Sequence, residues 1–284
     1  MNLFDRLVDE ALLNQPQLSS LRVVVEKELL HHDILRTLNQ NQLLANLTFI
    51  GGTCLRACYG GIRLSEDLDF TGGNDFSRES LSTMSKCLVD TLQEKYSLNV
   101  SVSEPKRDIK NVDTWKIKIE TRPKQRHMPA QRINIDICAV SSYEKQPRML
   151  INPYGVDMGT NGLIIQAQSR EEIYTDKLLA FALRPNRIKY RDLWDIVWLH
   201  QQGLKPSFEL IPKKLSDRKL SQEYFFTLFE QRANSLSQNN RLEMEFKNEM
   251  YRFLSLEQIN KTIDQDDLWS FIVLLMKSLN ISKK

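Results

Sequence analysis

Residues 47–70 read LTFIGGTCLRACYGGIRLSEDLDF, and the order of residue types in this stretch decides the fold. Residues 47–50 form a short apolar run that stops at Gly51-Gly52, after which residues 53–59 resume with helical spacing. A strand, a tight turn and a helix N-terminus follow from that pattern. Asp67-Leu68-Asp69-Phe70 then alternates polar with apolar, as a half-buried strand does. On such a strand Asp67 and Asp69 share one face, roughly 7 Å apart along the chain. Gly51-Gly52-Thr53 opens the helix, where unpaired backbone N–H groups and the helix dipole favour an anion and glycine permits its close approach. A plain strand-to-helix turn has the same sequence. No Gly-Lys-Ser/Thr follows, so this is not a P-loop.

Working outward, residues 1–46 show Leu21, Val24, Val25 and Leu29 at helical spacing and read as two amphipathic helices. Residues 74–95 read as a helix with Leu81, Met84, Leu88 and Leu92 on one face. Residues 98–103, 112–120 and 132–140 read as strands. In the last two, Trp115, Ile117 and Ile119 alternate with Lys116, Lys118 and Glu120, while Ile133, Ile135 and Ile137 alternate with Arg132, Asn134 and Asp136. One-sided strands of this kind predict a small mixed or antiparallel sheet with helices on one face and the other face open. From residue 171 onward the pattern is almost entirely helical. The expected class is therefore α+β, with a sheet domain over 1–165 and a helical domain over 166–284.

Asp136 places a third carboxylate on the polar face. Three carboxylates on one face repel unless a cation neutralises them, and Mg²⁺ prefers carboxylate together with phosphate oxygens. That chemistry is phosphoryl or nucleotidyl transfer, although a D-x-D strand facing solvent gives the same letters. On the helix that follows, Lys177 lies in a stripe with Ile173, Ala180 and Phe181, where it either snorkels to the edge or meets an anion. Asp192 and Asp195 share a helix face with Ile196 and Leu199, so they need partners, and Lys177, Arg184, Arg187 or Arg191 can supply them. A structural ion network and a part in the site both fit.

Composition closes off other classes. Thirty-nine Lys plus Arg against 36 Asp plus Glu give +3, so contact with nucleic acid must come from local patches. Lys106, Arg107 and Lys110 form one patch and Arg122, Lys124, Arg126 and Arg132 another, both at strand ends. The longest apolar runs are six residues, too short to cross a membrane. Asp5, Asp9 and Glu10 interrupt any N-terminal signal, and the four cysteines lack zinc or disulfide spacing, so a cytoplasmic, reduced protein is expected. The four histidines show no metal-ligand or catalytic-triad spacing and read as structural.

The set Gly51-Gly52-Thr53-x-Leu55, Arg63-x-Ser65-Glu66-Asp67-Leu68-Asp69-Phe70, Asp136, Lys177 and Arg191-Asp192-Leu193-x-Asp195 resembles the AbiEii/AbiGii family of toxin nucleotidyltransferases over about residues 45–200. The resemblance implies a polymerase-beta-like nucleotidyltransferase core completed by the helical domain. By position it implies that Gly51, Gly52 and Thr53 hold the nucleoside triphosphate, that Asp67, Asp69 and Asp136 bind Mg²⁺, that Lys177 contacts nucleotide phosphates and that Asp192 is a late catalytic acid. It further implies a cognate antitoxin and, as in some relatives, an acceptor at the 3′ end of tRNA. The basic residues Lys106, Arg107, Lys110, Arg122, Lys124 and Arg126 are then the expected RNA contacts. Adenylylation of an aminoglycoside-type small molecule, or an inactive nucleotide-binding protein, are the alternatives.

Overall fold

The computed structural model describes residues 2–105, 112–123 and 129–279. It divides into two compact units, Met1–Gln168 and Ser169–Lys284.

The first unit carries helices α1 (Leu3–Asn14), α2 (Arg22–Gln40), α3 (Gly51–Tyr59) and α4 (Met84–Tyr96). Its strands are β1 (Thr48–Ile50), β2 (Leu68–Thr71), β3 (Val100–Ser103), β4 (Val112–Ile119), β5 (Gln131–Cys138), β6 (Lys145–Met149) and β7 (Ile164–Gln168). They form one mixed sheet in the order β3-β4-β5-β2-β1-β7-β6. Strand β2 runs parallel to β5 and antiparallel to β1, and β7 runs parallel to β1. The alternation read from sequence is the sidedness observed: Trp115, Ile117, Ile119, Ile133, Ile135 and Ile137 are buried, while Lys116, Lys118 and Arg132 are exposed. Helix α2 packs on β5 and on α4, and α4 packs on β3. Each fully buried Ile or Phe contributes about 1.5–3 kcal/mol. Phe49 and Phe70, cross-strand partners in β1 and β2, stack with centroids 5.1 Å apart.

Two elements depart from the sequence expectation. The helix expected over 74–95 begins only at Met84, after a 3₁₀ turn at Arg78–Leu81. Phe76 folds back against Gly72, where a Cβ would lie 2.4 Å from its ring, and the Arg78 guanidinium reaches Asp113, so these side chains compete with a helical start. The buried face of Leu81, Met84, Leu88 and Leu92 is as expected. Strands β6 and β7 were not expected. Pro147 interrupts the β6 sequence, but β6 is the outermost strand, where a missing N–H costs no ladder bond.

The second unit is helical: α5 (Arg170–Leu183), α6 (Tyr190–Gln201), α7 (Leu210–Asp217), α8 (Gln222–Gln238), α9 (Asn240–Met250), α10 (Leu256–Gln258) and α11 (Asp267–Ser278). Ser169 caps α5, its hydroxyl accepting the Glu172 N–H at 3.0 Å, which marks the boundary between the units. Phe181 meets Phe229 edge-on, and Phe246 lies against Trp269. No cysteine is in a disulfide. Among the described residues no helix is long and apolar enough to cross a membrane.

Candidate active site

The turn after β1 is built for glycine twice over. Gly51 has φ +74°, the left-handed region, and a Cβ there would lie 2.8 Å from Asp69 Oδ2. At Gly52 a Cβ would lie 2.0 Å from an Arg63 guanidinium nitrogen. The glycine pair thus lets a carboxylate and a guanidinium press against the start of α3, whose N-cap residue, Ile50, has no side chain that can cap it. Arg63 is buried and also donates to the Leu64 carbonyl at 3.1 Å. Arg63 stands in the motif, but nothing in the residue pattern assigns it a part in the site. Its signal was indirect, since a glycine that follows another already in a tight turn makes room for something large.

The carboxylates are ordered by strand register. Asp69 on β2 pairs laterally with Asp136 on β5, and Asp136 with Thr114 on β4, whose hydroxyl donates to Asp136 Oδ1 at 2.6 Å. On the other side Asp69 pairs with Ile50, the residue before Gly51. Thr114, Asp136, Asp69 and the glycine turn therefore form one row across the sheet. Asp67 sits just ahead of β2, and its Oδ1 accepts the Asn134 backbone N–H at 3.1 Å. Among the described residues, no group of three or more His, Cys, Asp or Glu converges closely enough to hold an ion. The arrangement is a pair of adjacent carboxylates with a third one step along. Two carboxylates are the protein share that Mg²⁺ takes when phosphate and water fill its other positions.

Thr53 differs from its expected part. It is 2 % exposed, and its hydroxyl turns inward, donating to the Asp67 carbonyl and lying 2.6 Å from Ser65 Oγ. It ties α3 to the chain entering β2 and does not point outward to a phosphate.

Within the second unit, Lys177 Nζ lies 2.7 Å from Asp192 Oδ1 and 2.8 Å from Asp195 Oδ2, and Arg184 reaches Asp192 Oδ2 at 3.1 Å. The anions that meet this lysine are therefore the protein's own. Burial pushes the Asp192 carboxyl up, but Lys177, Lys189 and Arg184 more than reverse this and hold it below the usual carboxylate range. Of the expected RNA contacts, Lys106, Arg107, Lys110, Lys124 and Arg126 lie outside the described residues. Arg122 is described, and its guanidinium pairs with the buried Glu26.

A family model described as nucleotidyl transferase AbiEii toxin, type IV toxin–antitoxin system, matches residues 33–271. Two solved structures from Helicobacter pylori share the fold. JHP933 superposes with a TM-score of 0.51 at 17% identity, over 92% of this chain and 94% of that one. A candidate nucleotidyltransferase superposes with a TM-score of 0.51 at 18% identity, over 92% and 96%. No curated protein sequence matches the chain. The glycine turn and paired carboxylates thus lie within a matched region spanning most of the protein, and the chain belongs to the AbiEii family of nucleotidyltransferase toxins of type IV toxin–antitoxin systems.

Proposed function

We propose that this enzyme is cytoplasmic and transfers a nucleoside monophosphate from an NTP to a hydroxyl at an RNA end, that of tRNA, in a Mg²⁺-dependent reaction. The observation that carries the reading is the Asp69–Asp136 pair, in register on adjacent strands beside the Gly51 turn at the N-terminus of α3.

In this reading the first backbone N–H groups of α3 receive phosphate oxygens, which the helix dipole favours. Asp69 and Asp136 hold Mg²⁺, with Asp67 beside them. The ion, when bound, neutralises phosphate charge and lowers the pKa of the attacking hydroxyl. The acceptor oxygen bonds to the α-phosphorus, the bond to the bridging oxygen of pyrophosphate breaks, and the hydroxyl proton is lost at the carboxylate face. The side chains make no covalent bond, so they act by position and charge. RNA as acceptor is supported by the basic character of residues 106–110 and 122–126, which would repel a cationic antibiotic. An antitoxin is the partner that the family implies.

The test is incubation with each α-labelled NTP, Mg²⁺ and total RNA, with the Asp69→Asn and Asp136→Asn variants in parallel. Label enters RNA with the parent and not with either variant. Label on an aminoglycoside and not on RNA refutes the acceptor, and parental labelling by a variant refutes the site.

A further inference from the structure

The residues that enter β2 are gripped from behind by α2, an element whose first part precedes the region matched to the family. Glu28 accepts the Ser65 N–H at 2.7 Å, and its other oxygen accepts from Arg56 Nε at 3.0 Å and from the Tyr154 hydroxyl. His31 Nε2 lies 3.0 Å from the Glu66 carbonyl. A carbonyl only accepts, so Nε2 carries the hydrogen. Lys27 Nζ reaches the Glu66 carboxylate at 2.8 Å. With Thr53 on the Asp67 carbonyl, three successive residues, Ser65, Glu66 and Asp67, each have a backbone group fixed by a side chain. His31 is 3 % exposed, and among the described residues its Nδ1 has no hydrogen-bond partner. The ring lines a cavity of about 20 Å³ together with the polar Glu28, His32, Thr53 and Arg56 and the apolar Leu35, Ala57, Ile151 and Pro153, with room for roughly one water.

We propose that His31 is a positioning residue for nucleotidyl transfer: its Nε2–H, donated to the Glu66 carbonyl, sets the height at which Asp67 and Asp69 stand on the sheet, and one water in the adjoining cavity hydrogen-bonds Nδ1. A grip of this sort fits the chemistry. A carboxylate that must meet a cation and a phosphate at once needs a fixed main chain, and β2 has only four residues in which to provide it. This inference rests on the site reading above, and the measurements separate the two.

The first measurement is imidazole ¹⁵N NMR on the full chain, which reads the tautomer whether or not RNA is the acceptor. His31 shows the Nε2–H form, and the Nδ1–H form overturns the proposal. The second is steady-state transfer by His31→Gln, whose amide nitrogen takes the place of Nε2, against His31→Asn, which is too short to reach Glu66. The Gln variant retains kcat within about threefold of the parent, while the Asn variant loses on the order of 10²-fold in kcat with KM for NTP little changed. A merely structural histidine would lower the folded fraction of both variants without this split, so equal kcat in the two, high or low, overturns the proposal. Asp69→Asn is measured alongside. If it transfers at the parental rate the site reading fails, whereas if it is inactive and the two His31 variants are alike, only the role of His31 fails.

Discussion

Replacing Gly51 by alanine separates the two demands made on that residue. Alanine at φ +74° carries the left-handed penalty of about 1–2 kcal/mol. Its Cβ would also lie 2.8 Å from Asp69 Oδ2, well inside the 3.4 Å at which ordinary contact begins. Relieving that overlap moves either the turn or the carboxylate by several tenths of an ångström, at a further cost of about 1–3 kcal/mol. Gly60 isolates the first demand. It has φ +73°, ends the same helix, and a Cβ there meets nothing within 4 Å. Urea unfolding should therefore show Gly60→Ala losing about 1–2 kcal/mol and Gly51→Ala roughly 2–5 kcal/mol. The transfer assay should show Gly60→Ala at the parental rate and Gly51→Ala reduced about 10- to 100-fold, because Asp69 is displaced. Equal stability loss in the two variants, with transfer intact in both, would refute the reasoning that the turn is shaped around Asp69.

Three further outcomes follow from the buried charges. Lys177→Ala should destabilise the protein by about 3–5 kcal/mol in a ligand-free melt, since it removes the ammonium that the buried Asp192 and Asp195 share; a level or higher Tm would show that the lysine is an unrelieved charge waiting for its ligand. Burial pulls the His32 pKa down to about 4, so the unfolded chain binds the proton first, and stability should fall as pH drops from about 6.5 to about 4. His32→Asn, which keeps an acceptor or donor for Thr160, should flatten that slope by on the order of 3 kcal/mol, and an unchanged slope would assign the loss to other groups. Arg122→Glu should destabilise the fold through Glu26, whereas reversing Lys124 and Arg126 should lower RNA labelling and its salt dependence; undiminished labelling by that pair would remove the residues from RNA binding.

Much of the sheet unit was legible because its strands are buried on one side only. The Ile-rich alternation around Asp136 and the D-x-D run of β2 fixed which side chains face the core, and the helical second unit declared itself by spacing. Strand β6 was hidden because it is an edge strand with a proline, and edge strands need neither continuous apolar character nor every N–H, while β7 is only five residues long and carries two glutamines. At the site, Gly51 and the row of carboxylates were readable. The destinations of long or hydroxylic side chains were not. Whether Thr53 turns outward or toward Asp67, whether Lys177 meets a ligand or Asp195, and whether Arg122 faces RNA or Glu26 are settled by partners far along the chain. Glu28 and His31 looked like ordinary helix residues because what each holds in the stretch entering β2 is a main-chain atom, which carries no sequence signature.

The strand order has a consequence for the newborn chain. Residue 69 finds its partner on β5 only when residue 136 has been made, and β1, which carries the glycine turn, gains its second neighbour only with Ala167. Loop closure over such separations precedes any reward from pairing. On the proposed reading of the site, a ribosome-bound fragment that already displays the D-x-D run still lacks the other half of the carboxylate pair, which joins it only after most of the sheet unit has been synthesised.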